Sequence, residues 1–199
     1  MKMLLPVLFG LLASCSILPE SEELRVYQLP HLTHTDVPVP AAPLKDTLRV
    51  SRPQASPLID GTRILVAPEP ERLSAYPGVR WSNHAPILLR DRLMEQLRAS
   101  EAFDAVVSDQ MRALAGFELA GELQAFQIEY RQDQPVAVVR MQATLLGGGK
   151  RLVLASQKFQ GEVAADGRSV EAAVAALGRA SDELARQVTA WVIARLRTS

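Results

Sequence analysis

Cysteine is almost missing from this chain of 199 residues: Cys15 is the only one. No intramolecular disulfide can therefore form. Aromatic residues supply just 5% of the sequence, so Ala, Val and Leu have to fill most of the core. Neither sign of charge is in excess, the formal net charge being zero. No basic stripe is visible, which argues against a nucleic-acid partner. No apolar run reaches the roughly 20 residues of a bilayer-spanning helix. Signatures of chemistry are missing as well. A Gly-x-Ser-x-Gly nucleophile elbow does not occur. Gly147-Gly148-Gly149-Lys150 fails the phosphate-loop pattern, because Thr144 stands where its first glycine belongs and Arg151 follows the lysine. That stretch reads as a hairpin turn between two strands.

What is present begins with Met1 to Cys15, MKMLLPVLFGLLASC. Lys2 provides a short positive segment, and Leu4 to Leu12 is an apolar run of signal-peptide length. Leu12-Ala13-Ser14-Cys15 resembles a lipobox, the site at which a bacterial lipoprotein is cut before a cysteine that is then acylated. The expectation is a signal peptide over residues 1–14 and a mature chain that starts at a lipidated Cys15. Two or more acyl chains give stable anchoring. By resemblance to Gram-negative lipoproteins, Ser16 rather than Asp after the cysteine favours the outer membrane.

Residues 15–47 read as a Pro-rich tether with Pro19, Pro30, Pro38, Pro40 and Pro43, extended and semi-rigid in character. Within it, Leu24 to Leu29 alternates and is a candidate edge strand. If it docks, the free tether shrinks to Ser16–Glu23. The folded domain is expected over 48–199, enough chain to bury a core. Leu48-Arg49-Val50 alternates, Asp60-Gly61 signals a turn, and Arg63 to Ala67 predicts a strand stopped by Pro68 and Pro70. Asn83 to Pro86 opens a helix with Leu89, Leu93 and Leu97 on one face and Arg90, Asp91, Arg92 and Glu95 largely opposite. A short strand is expected at Ala105-Val106-Val107. From Phe117 the period changes to two, slips at Gln124-Ala125 and resumes, which predicts a bulge. Val139 to Leu145 and Leu152 to Phe159 complete an antiparallel meander. A long helix, from about Ser169 to Arg197, closes the chain. The fold class is α+β: an antiparallel-rich sheet with two helices packed on one face, preceded by the tether.

Several groupings invite a chemical reading and carry little. His31, His34 and Asp36 lie in the tether, where nothing fixes ligand geometry, so no metal and no cofactor are expected. Ser82-Asn83-His84 reads as the turn into the first helix rather than a nucleophile with its base. Glu118 and Glu122 share one strand face about 13 Å apart, wider than a glycosidase pair. No catalytic residue is assigned. More informative is the segment Leu73 to Trp81, where Tyr76 and Trp81 flank Pro77-Gly78 between a strand and the first helix. Aromatics and Arg are common at the centres of interfaces. Tyr76, Arg80 and Trp81 are thus candidates for contact with a partner, while Trp81 pinning a loop to the core is the other reading. The wide apolar stripe of the last helix leaves self-association open.

Taken together, LRVYQLP (24–30), DGTRILV (60–66), ERLSAYPGVRWSNHAPILLRDRLMEQLR (71–98), FELAGELQAFQIEY (117–130) and the closing TAWVIARL resemble the ABC-type transport auxiliary lipoprotein family, whose best-known branch is the paraquat-inducible protein C group. The resemblance covers essentially the whole mature chain. It implies a non-enzymatic lipoprotein on the periplasmic side of the outer membrane. Such a protein serves a transport system of ATPase, permease and a protein with mammalian-cell-entry (MCE) domains, associated with lipid movement between membranes. The implied partner is the MCE-domain protein, whose outer-membrane end this chain would anchor or cap. A lipid-binding carrier is the alternative, and it would need a closed apolar cavity.

Overall fold

The computed structural model describes residues 24–31, 42–147 and 152–198. The leader, Cys15, Ser16 to Glu23, His34, Asp36 and residues 148–151, where the sequence predicts a turn, lie outside them. Nine strands and two helices follow in the order β1 (Arg25–Tyr27), β2 (Leu44–Val50), β3 (Gln54–Ala55), β4 (Arg63–Glu69), β5 (Arg72–Trp81), α1 (Ala85–Ala99), β6 (Phe103–Ser108), β7 (Phe117–Arg131), β8 (Gln134–Gly147), β9 (Leu152–Ala164) and α2 (Val170–Arg197).

All nine strands belong to one mixed sheet organised around β7. On one side β7 pairs antiparallel with β8 along its whole length, and β8 pairs antiparallel with β9. On its other side β7 is shared by three strands in parallel: β2 at Leu119, β3 at Leu123 and β4 at Ile128. Beyond β4 lie β5, antiparallel, and then β1, parallel to β5. The register of β7 against β8 shifts between Leu123 and Ala125. Gln124 is thus the extra residue that returns Phe126 and Ile128 to the face of Leu119 and Leu123, as the sequence predicts. The hairpin into β8 turns through Gln132 and Asp133, both at positive φ (50° and 61°), the conformation that suits the twist of flanking strands.

Both helices pack on one face. Leu89, Leu93 and Leu97 of α1 are fully buried, as are Leu177, Leu184, Val188 and Val192 of α2. Ser169 caps α2, its side chain accepting from the backbone N–H of Ala172 at 3.1 Å. Gly161 lets α2 settle directly on β9, because a Cβ there would overlap the carbonyl of Ala180.

Several boundaries differ from the sequence reading. β4 runs past Pro68 to Glu69, and β2 begins at Leu44, inside the stretch assigned to the tether. Tyr76 to Trp81 is not a loop but the second half of β5. Pro77-Gly78 is absorbed as an irregularity within the strand, with Gly78 at φ 64°. Arg90 and Arg92 are not on an open face but 6% and 4% exposed. Arg90 reaches Asp91 and Asp109, and Arg92 reaches Asp182 of α2. The flank of α1 that looked solvated is covered, so its arginines are buried with their counter-ions.

Candidate interaction surfaces

The three residues singled out in β5 separate. Trp81 is fully buried, its ring edge-on to Phe126 with centroids 5.7 Å apart and planes at 73°, a favoured aromatic geometry. The Tyr76 hydroxyl is buried facing that of Tyr130 without reaching hydrogen-bond geometry, and burial pushes its pKa up to about 12. Arg80 alone is exposed. The sequence places these residues near one another but does not reveal that alternation in a strand sends Trp81 inward and Arg80 outward.

The segment Leu24 to His31 is fastened across the helix layer. Val26 and Tyr27 pair with Arg80 and Trp81, and the Tyr27 carbonyl accepts from the N–H of Ser82 at 2.7 Å. The Tyr27 hydroxyl donates to Glu171 at 2.5 Å, and Arg25 pairs with the same carboxylate at 3.2 Å. The Tyr27 hydroxyl, and less strongly the Arg25 charge, hold the Glu171 carboxyl below its usual range. Pro30 then packs on Gly178, where a Cβ would lie 3.0 Å from its ring, and its carbonyl accepts from Arg92. Arg92 therefore joins three elements through one buried guanidinium: α1, α2 through Asp182, and this strap. Sequence reading saw a possible edge strand here but not the strap, whose partners lie 54 to 148 residues away: Val26 pairs with Arg80, and Pro30 packs on Gly178.

Around the mouth of α1, His84 donates from Nδ1 to Asp60 at 2.9 Å, and Arg52 meets the same carboxylate. The His84 bond is the larger cause that lowers the Asp60 pKa. The arrangement ties the turn at Asp60-Gly61 to the start of the helix. Among the described residues no hydroxyl hydrogen-bonds the imidazole, and no group of three or more His, Cys, Asp or Glu side chains is placed to hold a metal. A groove of about 480 Å³ on the sheet face away from the helices is lined by Arg52, Gln54, Glu118, Glu122, Gln142 and Thr144. It is open and polar rather than a closed apolar cavity.

Beyond β8, one outer edge of the sheet is β9. Its second half is covered by α2: Gln187 donates to the carbonyl of Gln160 at 3.3 Å and Arg179 to that of Ala164 at 3.2 Å. Its first half has no strand beyond it among the described residues. A register shift between Leu145 and Leu146 makes Leu154 a bulge, and Leu152, Val153 and Leu154 are 63%, 65% and 40% exposed. Leu114, just before β7, is 98% exposed.

A family model described as the ABC-type transport auxiliary lipoprotein component matches residues 27–189. The chain belongs to that family. Its fold is also that of solved structures. Protein XCC0632 from Xanthomonas campestris superposes with a TM-score of 0.78 at 26% identity, over 87% of this chain and 97% of that one. An uncharacterized protein superposes at 0.64 with 14% identity, over 86% and 99%. The hypothetical protein CT253 from Chlamydia trachomatis superposes at 0.52 with 10% identity, over 78% and 100%. No curated protein matches. The matched span begins at Tyr27, inside the strap, and ends within α2, so strap, sheet and both helices form the family's domain. No helix among the described residues is long and apolar enough to cross a membrane.

Proposed function

We propose that this protein is a non-enzymatic lipoprotein, anchored through Cys15 to the periplasmic face of the outer membrane, that docks the MCE-domain component of an ABC transport system. The family match carries the reading, since an auxiliary component of a transporter works by contact with the transporter. Of the three residues the sequence offers for that contact, Arg80 is exposed, Tyr76 is half-buried with its hydroxyl inward, and Trp81 is buried and holds β5 from beneath.

The docking surface assigned here is the first half of β9 with Leu152, Val153 and Leu154. An open edge offers backbone N–H and C=O groups to an added strand, and three consecutive exposed apolar side chains offer burial. The strap lies at the opposite edge of the path β1-β5-β4-β7-β8-β9. Neighbouring strands turn by about 20–25°, so five steps turn the sheet by roughly 100°. A membrane against the β1 side therefore leaves the β9 side turned toward the periplasm.

The test is a pull-down of the full chain with its MCE-domain partner. The wild type should retain the partner, and Leu152→Asp with Val153→Asp should release it with the fold unchanged by circular dichroism. A wild-type chain that retains no partner would count against the docking role itself. Equal retention by the double variant would move the contact away from β9.

A further inference from the structure

The side of the sheet away from the helices carries a row that nothing above explains. Val26 lies beside Arg80 in the β1–β5 register, and Arg80 lies opposite Arg63 in the β5–β4 register. Their orientation follows from their neighbours. Trp81 is buried toward the helices, and Tyr27 reaches Glu171 of α2. Alternation then puts Val26 and Arg80 on the other face, with Leu24, two residues earlier, on the side of Val26. Leu24 and Val26 are 50% and 51% exposed, and both arginines are exposed.

Like charges directly opposite in a sheet repel and destabilise it, and among the described residues neither Arg63 nor Arg80 has a carboxylate partner. Three carboxylates of the same sheet are engaged elsewhere. Glu69 pairs with Arg72 at 3.5 Å, while Glu129 and Glu162 pair with Arg131 at 3.0 and 2.6 Å. Two free cations beside two exposed aliphatic side chains match an anionic surface with an apolar layer beneath it.

The position of the row decides its occupant. Leu24 is the first described residue, and eight residues, Ser16 to Glu23, separate it from Cys15. That much chain reaches about 30 Å when fully extended, so the row must stay close to whatever membrane holds Cys15. We infer that this face rests on the anchoring membrane, with Leu24 and Val26 entering the interfacial layer and Arg63 and Arg80 meeting lipid phosphates. The inference rests on the reading of Cys15 as the lipid anchor. Each arginine near an anionic leaflet is worth roughly a fivefold gain in binding.

The experiment uses the lipidated full chain in vesicles of phosphatidylethanolamine and phosphatidylglycerol that carry a shallow doxyl-labelled lipid. Acylation consumes the one native thiol, so Val26→Cys supplies a unique site for a fluorophore. Ala190→Cys, exposed on α2, is the reference. Strong quenching is expected at position 26 and little at position 190. In the background of Arg63→Gln with Arg80→Gln, or in neutral phosphatidylcholine, quenching at 26 should fall toward the reference level. Far-UV circular dichroism checks that the double variant is folded, and the two single variants replace it if it is not. A floated chain with position 26 unquenched, as when an acidic protein covers the arginines instead, would overturn this inference alone. So would quenching indifferent to both arginines and to lipid charge. A chain that does not float with the vesicles would remove the anchor and this inference together.

Discussion

Two outer edges of the sheet, β1 and β9, meet the same physical problem in opposite ways. An edge strand exposes unpaired backbone groups and invites other chains to pair with them. At the β1 edge the strand is only three residues long, and the side chains on its helix-facing side are spent on the protein itself: Arg25 and Tyr27 on Glu171, with Pro30 beyond the strand packed on Gly178. At the β9 edge the strand is 13 residues long, and α2 covers just the second half of it. What remains open carries Leu152, Val153 and Leu154. One edge is short and tied to α2 by its side chains, whereas the other is long and only half covered. The difference leaves the first half of β9 as an open, apolar edge, and the β1 side as the one fastened to α2.

Mutations sharpen this contrast, and the largest effect is expected at the fastened edge. Trp81→Ala removes a fully buried ring packed on Phe126 and should cost about 4 kcal/mol, read as a shift of the chemical-denaturation midpoint. Because Tyr27 pairs with this residue, β1 should loosen with it. Arg92→Ala comes next. It leaves Asp182, which is 13% exposed, without its buried cation and releases the carbonyl of Pro30. Breaking a buried pair from one side costs about 3 kcal/mol. Gly161→Val at the covered half of β9 should cost about 2 kcal/mol by overpacking against α2.

A smaller, pH-dependent effect is expected for the strap. The folded pKa of Glu171 is depressed, first by the Tyr27 hydrogen bond. Its contribution is therefore complete above the ordinary glutamate pKa of about 4.3 and fades as pH falls through the lower folded value. Nuclear Overhauser contacts between Val26 and Arg80 should weaken over that acid range, and Glu171→Gln should abolish the dependence. The smallest stability effect is at the open edge. Leu152→Asp with Val153→Asp should leave the denaturation midpoint nearly unchanged, since both side chains already face solvent.

What could be read from the residues divides along local and distant interactions. The helices at Ala85 and Val170, the bulge at Gln124 and the antiparallel meander all follow from spacing within a few residues. The parallel pairing of β2, β3 and β4 onto β7 does not, because nothing in a short strand names a neighbour more than sixty residues away, as Val50 is from Leu119 and Leu65 from Gln127. Pro77-Gly78 looked like a turn because its local chemistry is that of one, and tertiary pairing with β4 and β1 overrode it. Arg90 and Arg92 looked solvated because charge usually is. Their burial depends on Asp109 and Asp182, which only the folded chain brings near. At the candidate surfaces, Arg80 was legible as an exposed cation, but its row with Arg63 and Val26 is a property of register. The open half of β9 was legible only as an apolar strand, because what α2 leaves uncovered depends on where Gly161 lets it sit.

The division of labour between the two edges has a direct test. A photoreactive benzoylphenylalanine is placed at Val26 in one chain and at Val153 in another, and each lipidated protein is reconstituted with vesicles and the MCE-domain component. The account expects adducts with lipid from position 26 and with the MCE-domain protein from position 153. Lipid adducts from 153 with protein adducts from 26 would contradict it.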